Sequence, residues 1–467
     1  MDQKPRENAF GRIAETYDEL HGLHHLRKAR AWAAVQPSRE TALRTVYQAA
    51  EVALLNLSDL TRRAARDIDG NNLSKASIKL TWVIEFNRLL ASLARIPDRF
   101  PIANCSIGVK QSGGFRGSPA LAQHLRSMRD FDAAVAAWIG RRNTTYESLI
   151  MEEPTPGTAG FVVHQAKLAA HTTEIWEKLF LLHVLPSAAA PYSSWACSAD
   201  LEAMVHDFEL TTESYLLQFR GLHQIPEILA AEANAQLAVA TEFITAGGYC
   251  QAYEPFESAV ALTDGIVASL VPLIECMTTG DYHFIRENLG PTSGTYSRAL
   301  NDALLGRQNE NLSAALAEQV HRAGEQSMQV SDRDLQSLIR LAWIHRSQLS
   351  QWRDYHLALP RHNLGTGKTK SMIGNLDGVK TVEALRDAAE IRDQKDPLWK
   401  SLNLPAKTEG GRLGSYFESA DSLYDQLLAA TGIVTRKRFP GVQAQNGPVP
   451  APICPFNHST IGARKPS

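Results

Sequence analysis

Residues 41–66 read TALRTVYQAAEVALLNLSDLTRRAAR. Leu43, Val46, Tyr47, Ala50, Leu54 and Leu57 recur every three or four positions, which puts them on one face of a helix. Residues 74–94, SKASIKLTWVIEFNRLLASLA, repeat the pattern with Ile78, Val83, Phe86, Leu89 and Leu93 on the apolar side. The stretches 162–184, 213–243, 252–278, 299–321 and 333–358 carry the same period. No series of short alternating runs with turn dipeptides interrupts them, which argues against a sheet-based fold. The period predicts a mainly α fold of long packed helices.

The chain has 467 residues, 44% of them hydrophobic and 7% aromatic, enough to bury a sizeable core without disulfides or structural metals. Forty-eight Lys and Arg against fifty Asp and Glu leave a formal charge of −2, so no whole-protein attraction to nucleic acid or anionic membrane is expected. Cys105, Cys197, Cys250, Cys276 and Cys454 are scattered, with no CxxC pair, which fits a reducing compartment. The first twenty residues lack the apolar core of a signal peptide, and no run approaches the roughly 18 apolar residues of a membrane span. A soluble, cytoplasmic protein is expected.

Internal similarity sets the domain expectation. Tyr47-Gln48-Ala49-Ala50-Glu51-Val52 aligns with His223-Gln224-Ile225-Pro226-Glu227-Ile228, 176 residues apart, each opening an amphipathic helix followed by a second one. Ser112-Gly113-Gly114-Phe115 and Ser293-Gly294-Thr295-Tyr296 follow in the same order, then Trp138 with Pro156-Gly157-Thr158 and Trp352 with Leu364-Gly365-Thr366. A tandem helical-bundle repeat is expected: residues 1–184, a small-residue linker 185–200, a second copy 201–438 and a Pro-rich tail 439–467.

Three segments carry chemistry. In Gln351-Trp352-Arg353-Asp354-Tyr355-His356, the histidine lies one turn after the tryptophan, so imidazole and indole share a face. A neutral imidazole on a rigid helix is a competent axial ligand for haem iron. The Gly365-Thr366-Gly367 turn that follows can bring N–H and hydroxyl donors close to a ligand. In Phe219-Arg220-Gly221-Leu222-His223-Gln224, Phe219 sits one turn before His223, an aromatic wall beside a hydrogen-bonding imidazole. The run from Asp281 through Arg286 to Ser293-Gly294 ends one helix and starts another, and N–H groups at a helix start suit a carboxylate or propionate. Each has a plainer counterpart: a satisfied core histidine for the first two, a capped turn for the third.

Taken in order, Phe219-xxx-His223-Gln224-xx-Glu227, Arg286 to Gly294, Trp352-Arg353-xx-His356 and Gly365-Thr366-Gly367 resemble the tryptophan 2,3-dioxygenase superfamily, histidine-ligated haem oxygenases of aromatic substrates. The resemblance covers roughly residues 213–380, with a degenerate echo over 41–160. It implies an all-helical fold, haem b bound through the single iron ligand His356, and a cofactor environment that includes Trp352, Gly365 and Gly367. It further implies His223 as the distal histidine that hydrogen-bonds the substrate ring, with Phe219, Arg286, Ser293, Gly294 and Thr366 on the substrate side. The family's carboxylate-binding arginine falls at Asn301, which leaves that role to Arg286 or Arg298. In the first copy Tyr47 stands for His223, and Arg142 falls where Trp138 places the axial ligand; arginine cannot ligate iron, so this copy is expected to be haem-free.

Other motifs are weaker. Gly367-Lys368-Thr369 lacks the first glycine of a P-loop, since position 362 is His362. His24-His25 has no further ligand at metal-site spacing. His345 is the rival axial ligand and His171 the rival distal residue. The expected function is insertion of one or both oxygen atoms, from O2 or peroxide, into an aromatic amino acid or an indole-type substrate of secondary metabolism. The competing expectation is an inactive helical haem-binding or scaffold protein. A homodimer is compatible with either.

Overall fold

The computed structural model describes residues 17–31, 37–99, 115–152, 155, 157–182, 192–206, 216–289, 297–304, 307–325, 333–364 and 378–401. The described residues belong to one compact unit, and they form eighteen α-helices and no strand. The leading helices are α1 (Tyr17–Leu20) and α2 (Leu23–Ala31), followed by α3 (Arg39–Asp69) and α4 (Leu73–Arg95). Next come α5 (Pro119–Arg141), α6 (Tyr146–Ile150), α7 (Ala159–Leu182), α8 (Tyr192–Ala196) and α9 (Ser198–His206). The second half comprises α10 (Leu216–Thr245), α11 (Tyr249–Ala268), α12 (Val271–Cys276), α13 (Thr279–Leu289) and α14 (Arg298–Leu304). It ends with α15 (Arg307–Glu325), α16 (Arg333–Leu364), α17 (Gly378–Gln394) and α18 (Pro397–Ser401).

The helix starts follow local chemistry. Ser38 caps α3: its Oγ accepts from the Thr41 N–H, and the Thr41 hydroxyl accepts from the Ser38 N–H. Asn72 caps α4, and Ser118 caps α5 with Pro119 in the first turn, where its missing N–H costs nothing. Beyond the caps, burial decides. Leu43, Val46, Tyr47, Ala50, Leu54 and Leu57 are all buried, and truncating one such leucine to alanine costs about 2–5 kcal/mol. On α4 the expected face is buried except for Ile78, which is 38% exposed.

In the first half α3 packs on α4 and α5, and α4 on α7. In the second, α10 packs on α11, α14 and α15, and α11 on α16. Each half has its own apolar core, and their members recur 176 residues apart: Ala64 and Ala240, Ile68 and Ile244, Leu80 and Phe256, Val162 and Leu338, Ala166 and Ala342. At the same interval Trp176 and Phe180 on α7 stand where Trp352 and His356 stand on α16. The expected pairing of Trp138 and Arg142 with Trp352 and His356 does not fall at this interval. Trp138 lies on α5, with the Arg142 guanidinium over its ring at 5.0 Å, and α5 is not packed in the way α16 is.

Two further expectations change. Residues 192–200 of the expected linker are helical, with Tyr192 buried, because its ring and Trp195 fill space beside Tyr47 and Phe115. One segment, Tyr249–Cys276, is long and apolar enough to cross a membrane. Nearly all of it is buried inside the bundle, so the core accounts for its composition. The Pro-rich tail 439–467 lies outside the described residues.

Candidate functional site

α10 carries Leu222, His223 and Pro226 along one strip, and α16 carries Trp352, Arg353 and His356 along another. These residues line one cavity, closed by Ser269, Leu270 and Leu273, by Leu300, Asn301 and Leu304 of α14, and by Val382 and Arg386 of α17. Pro226 has no N–H to give the Leu222 carbonyl one turn back, and both residues sit at the cavity wall. The cavity has a volume of about 110 Å³ and is partly open to solvent.

His223 and His356 face this cavity with part of each ring accessible and protein around the rest. The His223 Nδ1–H donates to the Phe219 carbonyl at 2.8 Å. Since a carbonyl only accepts, the lone pair of the neutral ring is on Nε2. Burial lowers the His223 pKa to about 4. It lowers His356 likewise to about 4, with the nearby His223 adding to the effect. Both rings are neutral at pH 7. Trp352 lies parallel to His356, with ring centroids 4.8 Å apart and planes 8° from parallel, as their one-turn spacing predicts.

Two cations edge the cavity, each with a carboxylate partner. Arg353 pairs with Asp393 at 2.5 Å, and Arg386 hydrogen-bonds Asp387 at 2.9 Å. Asn301 lines the wall, whereas the side chain of Arg298 is 93% exposed and within reach of Asp302, so Arg298 does not serve the cavity. Below His223 on the same helix, burial pushes the Glu227 carboxyl up to about 7, held back by hydrogen bonds to Ser297 and Tyr17.

The structure thus brings together His223, Trp352 and His356. Phe219 lies against His223 with ring centroids 4.2 Å apart and planes tilted by 41°, and it does not line the cavity. Arg286 lies on α13, and its side chain is outside the described residues, as are Ser293, Gly294, Gly365, Thr366 and Gly367 altogether. His345 turns into the second-half core, edge-on to Phe256 at 6.2 Å, and does not line the cavity. His171 is on α7, in the other half. Leu270, Leu273, Leu300, Leu304, Val382 and Arg386 were not singled out by the sequence motifs. Apolar wall residues carry no signature apart from helix period, and Arg386 looks like an ordinary surface charge.

Among the described residues no group of three or more His, Cys, Asp or Glu is placed to hold a bare metal ion. A macrocycle that brings its own equatorial donors needs only one protein ligand. On that criterion the donor chemistry suits a histidine-ligated haem: a neutral imidazole at an apolar cavity, a parallel indole beside its ring, and a second neutral imidazole on the same cavity. Comparison with family models, curated proteins and solved structures gives no match.

Proposed function

We propose that this chain is a haem-dependent oxygenase of the tryptophan 2,3-dioxygenase type, acting on an aromatic amino acid or an indole-type substrate. The reading rests on one observation: two neutral imidazoles, from helices more than a hundred residues apart, converge on a single apolar cavity. Two cores whose members recur at a constant interval support a tandem repeat as its framework. In the first copy Tyr47 replaces His223 and Phe180, which has no donor atom, replaces His356, so only the second copy has an imidazole that would hold the iron.

Bound haem b supplies the chemistry that activates O2 or peroxide. His356 is the residue that holds its iron, and Trp352 fixes the orientation of that ring. His223 presents the lone pair of Nε2 and accepts a hydrogen bond from the ring N–H or O–H of the substrate. Leu222, Pro226, Leu270, Leu273, Leu300 and Leu304 give the cavity an apolar wall that orients the ring.

The test is the absorption spectrum of the purified protein beside His356→Ala. A Soret band that the variant loses is the expected result. A wild-type chain that takes up no haem even on reconstitution would sink the proposal. An aromatic ligand that shifts the band in wild type and not in His223→Ala separates an enzyme from an inert haem carrier.

A further inference from the structure

The helices that lead each half reach across to the other half, α9 while also accepting hydrogen bonds from α10 of its own. α1 and α2 precede the first copy, yet they are tied to α10 of the second: Gln224 Nε2 donates to the His21 carbonyl at 2.9 Å and Arg220 Nε to the Leu20 carbonyl at 2.5 Å. α8 and α9 precede the second copy, yet they lie on α3 of the first, where Gln48 Nε2 donates to the Ala196 carbonyl at 3.1 Å. Through this exchange the first half delivers His21 to the far side of His223.

His21 is fully buried, and its ring stacks on His223 with centroids 5.1 Å apart and planes 21° from parallel. Tyr17 lies 4.4 Å from His21 on one side, and Phe219 lies 4.2 Å from His223. The first half provides an internal control. There the leading segment sets Tyr192 and Trp195 against Tyr47, at 6.1 and 5.6 Å, with no imidazole. The ring set against Tyr47 is thus a phenol or an indole, whereas the ring set against His223 is an imidazole; the buried imidazole of the first half, His124, lies against Trp176 instead, with centroids 5.9 Å apart.

We propose that His21 is a positioning residue for His223, holding the distal imidazole in one orientation and keeping water off its outer face. This rests on His223 being the working imidazole of the cavity. His21 acts through His223 and does not itself line the cavity. Burial keeps His21 well below its ordinary pKa, with His223 and Arg220 adding to the effect, so the stacked pair is neutral. The other groups around the pair are Tyr17 and Asp18 on α1, Arg220 and Glu227 on α10, and His356 on α16.

The test uses the full chain with ring-¹³C histidine, as the ferrous carbon monoxide complex wherever haem co-purifies, and follows the His223 resonance identified by its loss in His223→Phe. In wild type, with a pKa of about 4, that resonance is expected not to titrate above about pH 6. In His21→Ala, water reaches the uncovered face and the midpoint rises by about one unit or more toward 6.5. His21→Phe keeps the stacked ring and restores the wild-type titration. His21→Leu fills the volume without a ring face and splits or broadens the His223 signal. A folded His21→Ala with unchanged titration overturns the proposal. Should the alanine variant not fold, a leucine variant indistinguishable from wild type overturns it instead. The readout does not need haem, so a failed Soret test and a failed role for His21 are seen separately.

Discussion

Glu51 shows how a single carboxyl sets a pH dependence. It is buried on α3 with hydrogen bonds to Ser118, Tyr192 and Ser198, and burial pushes its pKa up to about 7. Its folded pKa lies above the unfolded value of 4.5, so the folded state holds the proton longer than the unfolded one. Its full stability is present below pH 4.5 and is lost progressively as pH rises to about 7. A shift of that size corresponds to about 3 kcal/mol at its limit. Glu51→Gln keeps the shape without the ionisation, and it is expected to melt above wild type at pH 8 and to converge with it near pH 4.5. Equal melting curves at both pH values would remove Glu51 from the account. The buried histidines act in the opposite sense. His223, His345 and His356 at about 4 and His124 at about 3 lie below the ordinary 6.5, so their contribution is complete above 6.5 and lost as pH falls through the folded values. His21 and His206 are lowered in the same sense, while burial raises Asp132, Glu257, Asp264 and Asp354 in the sense of Glu51 and Glu227.

Between elements, the tightest constraint is where α3 crosses α10. A Cβ on Gly221 would lie 2.3 Å from Asn56 Nδ2 and 2.7 Å from its Cγ. Asn56 is fully buried and its amide donates to the Val52 carbonyl at 2.9 Å, so it has no free direction in which to swing. Gly221→Ala is expected to force the helices apart and cost about 1–3 kcal/mol, seen as a lower denaturant midpoint. A midpoint equal to or above wild type would mean that the crossing has slack. Because His223 is two residues further along, the same variant is expected to disturb the cavity. No sequence period reveals this glycine, since the clash belongs to a pair of helices and not to either alone. What the period does reveal is burial: α3, α10, α11 and α16 are read from their apolar stripes. Ile78 shows the limit, because a residue in register with a stripe is still exposed where no partner covers it. His223 and His356 are legible for a similar reason, each one turn from the aromatic residue that lies against it. His21 is not, because it reaches the site through the exchange of leading helices, which leaves no local pattern.

For the molecule as a whole, the exchange makes the two halves one folding unit. Arg220 is fully buried, and its guanidinium is satisfied by carbonyls of both leading segments, Leu20 at the end of α1 and Met204 and Val205 in the last turn of α9. A cation is favoured there by the carbonyl ends of the two helices. Arg99 from the first half pairs at 2.5 Å with the buried Asp264 of α11, and α3 packs along α10. Residues 200–467 expressed alone keep Arg220 and Gln224 and lose their partners at Leu20 and His21. They also lose the buried face against α3. Arg220 then keeps the Met204 and Val205 carbonyls but not that of Leu20, and the apolar face bared by the loss of α3 weighs heavily against the roughly 5–15 kcal/mol that holds a domain together. That fragment is expected to unfold without a cooperative transition and to take up little haem, and co-expression with residues 1–199 is expected to restore both. A fragment 200–467 that melted cooperatively and carried a wild-type Soret band would show that the second half is autonomous. The first half would then be an appendage, and the stack of His21 on His223 would lose its claim to a role, because a site that works without its partner's arm is not held by it.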